Sequence, residues 1–142
     1  MILQLNILVF TGISAAMDLK WWKIKNFWPA VYLAGGLIFD AFCGGNTLAS
    51  GAAGAAAAFA LLILPYAAGG LGAGDVKLFT VCGIWLGIDR ILMFMLASFA
   101  AAGVWTAVLA IRKRSIKTVL KTKLHAAVFA FAAAVMTAGG LI

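Results

Sequence analysis

Long runs of apolar residues, separated by short polar gaps, make up most of the 142-residue chain. A helix needs about 20 apolar residues to cross the hydrocarbon core of a bilayer. The pattern therefore predicts an all-α, polytopic membrane protein with about six transmembrane helices, formed by a single domain over residues 1–142. The six runs extend over residues 2–17, 28–43, 48–68, 78–88, 91–111 and 124–142.

Two of these runs have features that predict how the helices are arranged. The fourth run, residues 78–88, spans only about 16 Å as a helix, too short for a bilayer core of roughly 30 Å. Its helix must begin earlier, within residues 69–77, which places the segment 72–75 at the membrane boundary, where irregular backbone is stable only against protein or water. In the third run, Gly51 and Gly54 predict close packing against a neighbouring helix.

The composition excludes most soluble proteins. Apolar residues make up 65% of the chain and charged residues only 11%, whereas about a quarter of a soluble domain is charged. The net charge of +7 does not indicate nucleic-acid binding, because Lys and Arg are confined to the short gaps. Cys43 and Cys82 are too few for a four-cysteine zinc site and are interpreted as packing residues. Because His125 has no second His or Cys at ligand spacing, we expect no metal and no cofactor.

Positive charge is distributed unevenly between the gaps. The first, third and fifth gaps hold ten Lys and Arg residues, whereas the second and fourth hold one, Arg90. Short cytoplasmic loops collect Lys and Arg, so the first, third and fifth gaps are predicted to be cytoplasmic, with both termini outside. The basic fifth gap, residues 112–123, is expected to contact anionic lipid headgroups of the bilayer.

This orientation sorts the four aspartates by depth. Asp18, after the first run, and Asp75, before the fourth, fall on the cytoplasmic side, whereas Asp40 and Asp89 fall on the outer side. Only Asp18 and Asp75 can therefore meet without crossing the membrane. Two neighbouring carboxylates tend to share one proton, so that one acts as a base and the other as an acid. Such a pair can activate water for attack on a peptide carbonyl.

The segments around both aspartates resemble the motifs of a known family. Residues 70–78 read G-L-G-A-G-D-V-K-L, which is similar to the G-x-G-D-x-K-L signature of type IV prepilin peptidases, the membrane aspartic peptidases of the A24 family. Asp18 precedes I-K-N, which ends at Asn26 and resembles the I-P-N of the family's first motif, with Lys25 in place of the usual proline. Two motifs in the right order, on one side of the membrane, are more specific than either alone.

The resemblance implies a membrane aspartic endopeptidase that removes the leader peptides of type IV prepilin or pseudopilin precursors. Family substrates carry a short basic leader, a glycine before the cut and a hydrophobic helix after it. Cleavage would occur at the cytoplasmic face of the bacterial inner membrane, without a cofactor, and Asp18 and Asp75 would be catalytic. Four further residues are expected to support the motifs or bind substrate: Gly72, Gly74, Lys77 and Asn26.

Lys77 and Asn26 each have two interpretations. Lys77 falls on a different helical face from Asp75, which favours a reach toward lipid phosphate, and contact with substrate is the alternative. Asn26 either hydrogen-bonds the first loop into shape or has an ordinary role in a turn. Larger family members also carry a cytoplasmic insertion associated with N-methylation of the new pilin N-terminus. The chain has no such segment and is similar to the short members that serve tight-adherence pili, so no methyltransferase activity is expected.

Other functions remain open at this point. A small proton-coupled transporter also uses intramembrane carboxylates, but it would need them at several depths along one path. A non-catalytic pilus-assembly protein would use Asp18 and Asp75 only as ion-pair partners of Lys20 and Lys77. A presenilin-like enzyme shares the G-x-G-D element, but those chains have more helices and a Tyr before the first Asp, where this chain has Met17.

Overall fold

The computed structural model describes residues 2–21, 26–43, 48–113 and 126–138, and every element within these ranges is an α-helix. The predicted all-α class is therefore confirmed for the described residues. The first helix continues four residues beyond the end of the first apolar run, and the helix of the fourth run begins five residues before that run, within the predicted range 69–77. The second and third helices match their runs to within one residue. The helices are α1 (Ile2–Trp21), α2 (Phe27–Cys43), α3 (Leu48–Ala67), α4 (Ala73–Lys113) and α5 (Ala126–Ala138).

The long helix α4 folds back on itself at Gly87. The backbone there has φ 72° and ψ 175°, a conformation that glycine adopts far more readily than other residues. A straight helix would separate Phe79 from Phe99 by about 30 Å, yet their ring centroids are 5.4 Å apart. The two halves of α4, residues 73–86 and 88–113, therefore pack side by side. They correspond to the fourth and fifth predicted apolar runs.

Glycines hold α3 against this turn. A Cβ atom added to Gly54 would collide with the carbonyl oxygen of Gly83 and would lie 2.7 Å from the carbonyl carbon of Gly87. Backbone therefore touches backbone where α3 crosses α4, and no larger residue fits without a shift. Small residues at helix crossings are typical of membrane proteins. The close packing predicted for Gly54 is confirmed.

The core of the described protein is built around α4. Phe79 and Phe94 from its two halves are fully buried, together with Phe10 of α1 and Ala130 of α5. Cys82 is a buried free thiol in the same core, which agrees with its predicted packing role. The side chain of Cys43 lies outside the described residues, as do His125 and most of the basic fifth gap.

Large apolar side chains cover much of the outer surface. They include Phe42, Leu64 and Ile111, which are 85%, 74% and 78% exposed. So many exposed large apolar side chains are unusual for a soluble monomer and are typical of contact with lipid. Within the described residues, Leu48–Ala67 and Ala73–Leu109 are long and apolar enough to cross a membrane. Six crossings, and termini on the outside, stay predictions.

Candidate active site

Asp75 lies in the first turn of α4, three residues after the turn that ends at Gly72. Its Oδ2 atom accepts a hydrogen bond of 3.0 Å from the backbone N–H of Gly72, and the Gly72 carbonyl accepts one of 3.1 Å from the N–H of Asp75. A carboxylate at this position satisfies a free N–H and interacts favourably with the helix dipole. The irregular backbone expected over residues 72–75 ends at Gly72, so Asp75 itself is helical.

Gly72 leaves room for this arrangement. A Cβ atom added there would lie 3.3 Å from Oδ2 of Asp75, closer than an ordinary van der Waals contact. The absence of a side chain thus lets the backbone N–H reach the carboxylate. Gly74, between the two, is half-buried within the first turn of α4.

The structure brings the two predicted catalytic aspartates together. Asp18 lies in the last turn of α1 and is half-buried. Its charge acts on Asp75 across the gap between α1 and α4, although 57 positions separate the two residues in sequence (75 minus 18). Two carboxylates whose charges interact tend to ionise one after the other rather than together.

Lys77 and Asn26 are joined by a hydrogen bond. The ammonium Nζ of Lys77 donates to Oδ1 of Asn26 at 2.7 Å. Asn26 stands immediately before α2, so the bond ties the first motif to the second. The reach toward lipid phosphate that the sequence favours for Lys77 is replaced here by a charge-assisted bond to an amide oxygen within the protein. Both residues are predicted from the sequence to support the motifs, but their pairing is not.

The described structure does not support a role for Asp75 as a mere ion-pair partner of Lys77. Among the described residues Asp75 forms no ion pair with Lys77, because the lysine binds Asn26 and the carboxylate binds the Gly72 N–H. The described part of the chain also contains no group of three His, Cys, Asp or Glu side chains that could hold a metal ion.

Aromatic side chains form a cluster, the aromatic floor, between α1, α2 and α4. The ring of Tyr32 lies 4.8 Å from both Phe10 and Trp28, measured between centroids, and 6.3 Å from Trp85. The indole N–H of Trp85 donates to the Tyr32 carbonyl at 3.0 Å. This cluster is not among the predictions from the sequence. Its one available signal is the four-residue spacing of Trp28 and Tyr32, which puts both on one face of α2.

The other two aspartates lie toward the far end of the first half of α4. Asp40 is buried against Gly51 and near the carbonyl of Ile84, nine residues or about 14 Å along α4 from Asp75. Asp89 follows the Gly87 turn and lines a cavity of about 110 Å³ with Arg90. Neither aspartate belongs to the pair at Asp75.

The model of the type IV leader peptidase family matches residues 5–107. The matched range includes both aspartates of the pair and the Lys77–Asn26 hydrogen bond, and it extends from α1 into the second half of α4. No curated protein and no solved structure matches the chain. Because the family match covers well over half of the 142 residues, the chain belongs to the type IV leader peptidase family.

Proposed function

We propose that this protein is an aspartic-type endopeptidase that removes the leader peptides of type IV prepilin or pseudopilin precursors. Membership in the leader peptidase family supports protease activity of this general kind. The observation that supports the aspartic mechanism is that Asp18 in the last turn of α1 lies near enough for its charge to act on Asp75 in the first turn of α4. The two residues come from α1 and α4, so their meeting depends on the tertiary fold.

The pair can catalyse hydrolysis without further groups. The ionised carboxylate takes a proton from water, whose oxygen attacks the scissile carbonyl carbon, while the protonated carboxyl donates to the carbonyl oxygen. The tetrahedral intermediate then collapses and its C–N bond breaks. The leaving nitrogen receives the proton that the first carboxylate took from water, and the second carboxylate takes a proton back from a hydroxyl of the intermediate as the C=O bond re-forms. The oxygen of that water remains in the new C-terminal carboxylate, and the pair returns to its starting state with one shared proton.

The position of the pair suits a substrate with a membrane helix. Asp18 ends an apolar helix and Asp75 begins another, so both lie where apolar segments meet polar ones. A precursor whose hydrophobic helix lies in the membrane would present the bond before that helix at the same level. With the orientation predicted from the positive charges, this level is the cytoplasmic face of the bacterial inner membrane.

The residues around the pair support this role. The turn over residues 68–72 ends at Gly72, where the lack of a side chain lets an extended peptide approach Asp75. The hydrogen bond from Lys77 to Asn26 holds the start of α2 beside the start of α4. We infer that this bond positions the two motifs relative to each other, so that the carboxylates keep their separation.

Product mapping tests the function directly. The purified protein in liposomes is incubated with a precursor that carries a basic leader, a glycine before the cut and a hydrophobic helix. We expect two products by mass spectrometry, with the new N-terminus immediately after the glycine, and no cut by Asp75→Asn protein purified in the same way. Cleavage at other bonds, or equal cleavage by the Asp75→Asn preparation, contradicts the proposal and favours a transport or assembly role.

A further inference from the structure

Two buried polar atoms near the aspartate pair have no hydrogen-bond partner among the described residues. They are Oγ of Ser14, whose residue is 0% exposed, and Nε1 of Trp28. Buried polar side chains in folded proteins are nearly always hydrogen-bonded, and each exception calls for a physical explanation.

Three comparable buried groups of this protein have hydrogen-bond partners. The hydroxyls of Thr11 and Ser98, also fully buried in helices, donate to the carbonyls four residues earlier at 2.7 and 2.8 Å. The indole N–H of Trp85 has a partner in the carbonyl of Tyr32. Burial within a helix therefore does not by itself prevent a bond. The lack of a partner at Ser14 and Trp28 is therefore not a consequence of burial alone.

Ser14 lies between Asp18 and Phe10 along α1, and Trp28 belongs to the aromatic floor. Ser14 is one helical turn before Asp18, about 6 Å along α1 and on the same face. One turn further, the ring of Phe10 contacts the ring of Trp28 at 6.4 Å between centroids. Trp28 in turn stands two residues after Asn26, which Lys77 binds. Ser14 thus lies one helical turn from Asp18, and Trp28 packs against the residue one turn further along α1.

A peptidase that cuts next to the membrane helix of its substrate must supply hydrogen-bond partners for the substrate backbone that it unwinds. The peptide bond must be extended to reach the carboxylates, which breaks hydrogen bonds in the first turn of the substrate helix. In an apolar environment each freed N–H and C=O must find a partner in the protein. An enzyme therefore needs spare donors and acceptors just past its catalytic groups.

We propose that Ser14 and Trp28 bind the unwound backbone of the substrate, an inference that rests on the proposed peptidase function. The indole N–H of Trp28 donates to a substrate carbonyl, and the Ser14 hydroxyl accepts a substrate N–H. Because an extended residue spans about 3.3 Å, the 6 Å between Ser14 and Asp18 corresponds to about two residues past the cut. Ser14 and Trp28 thus recognise the main chain of the substrate and tolerate varied substrate side chains.

Two conservative variants test this role, each with a matched control. Ser14→Ala removes only the hydroxyl, and Trp28→Phe keeps an aromatic ring without the N–H. Ser98→Ala removes a buried hydroxyl that is already bonded, and Trp105→Phe changes an indole that is 52% exposed on the outer surface. All are purified in detergent and assayed for kcat/KM on the same precursor and for thermal unfolding.

We expect Ser14→Ala and Trp28→Phe each to lower kcat/KM by about three- to tenfold, the effect of one lost hydrogen bond. Their unfolding temperatures should be unchanged or higher, because an unsatisfied buried group has been removed. Ser98→Ala should instead unfold at a lower temperature and cut at the wild-type rate, and Trp105→Phe should match wild type in both.

The possible failures are distinguishable. If wild type cuts the precursor and Ser14→Ala and Trp28→Phe cut equally well, this inference is overturned and the proposed function stands. If both variants lose activity only in proportion to a lower unfolding temperature, their role is structural and the inference is also overturned. If wild type itself does not cut, the proposed function fails.

Discussion

At the scale of single residues, Asp75 has two partners that constrain it together. Its carboxylate accepts the Gly72 N–H at 3.0 Å and also interacts with the charge of Asp18. The hydrogen bond from Gly72 fixes the side chain of Asp75 at the start of α4, and the distance of its carboxylate from Asp18 depends on that position. The G-x-G-D motif is therefore a device for aiming a carboxylate, and each of its parts can be tested separately.

Gly72→Ala should lower leader cleavage by about tenfold while the protein stays folded. The added Cβ would lie 3.3 Å from Oδ2 of Asp75, so the carboxylate must shift away from its partner. Gly103→Ala is the matched control, because a Cβ there meets nothing within 4 Å. It should keep full activity and gain slightly in helix stability. Wild-type cleavage by Gly72→Ala would show that the position of the Asp75 carboxylate is not critical.

Lys77→Met should lower cleavage about three- to tenfold, because it removes the hydrogen bond to Asn26 that joins the two motifs. Asn26→Ala should have a similar effect, and the double variant should be no worse than either single one, since both changes break the same bond. Cleavage rates of the four proteins in liposomes give this comparison. Fully additive losses would mean that the two side chains act independently.

At the scale of helices, the turn at Gly87 ends the first half of α4 and lets the second half pack beside it. The sequence predicts separate fourth and fifth helices with a gap at Asp89 and Arg90, yet both of these residues are helical and the turn comes two residues earlier. The reason is local. Gly87 can adopt a positive φ, and α3 supplies Gly54 so that the backbone at the turn can approach closely.

Gly54→Ala should destabilise the protein by about 2 kcal/mol or more, because its Cβ collides with backbone rather than with a flexible side chain. Gly35→Ala in α2 is the control, since its Cβ would meet only the Trp85 ring at 3.9 Å. It should be neutral or slightly stabilising. Unfolding in detergent, followed by circular dichroism, measures the difference. Equal stability of the two variants would contradict the tight crossing of α3 and α4.

At the scale of the whole molecule, the sequence predicts the pairing of Asp18 with Asp75 because charge asymmetry assigns both to one depth. It predicts the helices equally well, since apolar runs and spanning lengths depend on local composition. The Lys77–Asn26 bond, the aromatic floor and the unsatisfied groups of Ser14 and Trp28 could not be predicted. Each depends on which helix faces are turned toward each other, and hydrophobic periodicity is weak where nearly every residue is apolar.

The predicted orientation of the molecule has its own test. With both native cysteines replaced, single cysteines are introduced as Arg90→Cys and Arg114→Cys. A membrane-impermeant maleimide added to intact cells should label the first and not the second, because the positive-inside rule puts residue 114 in the cytoplasm. Inverted vesicles should give the reverse. Labelling of both from one side would contradict the predicted crossings between them.

The most direct test of the central claim is a double-mutant cycle on the aspartate pair. Asp18→Asn, Asp75→Asn and the double variant are compared with wild type for kcat/KM on a prepilin precursor. Asp89→Asn serves as the control carboxylate beyond the Gly87 turn. We expect each single variant to lose about a thousandfold or more, the double variant to be no worse, and Asp89→Asn to retain wild-type activity, because residues that act as one catalytic unit are not additive. Near-wild-type cleavage by a correctly folded Asp18→Asn or Asp75→Asn protein would contradict a two-aspartate mechanism.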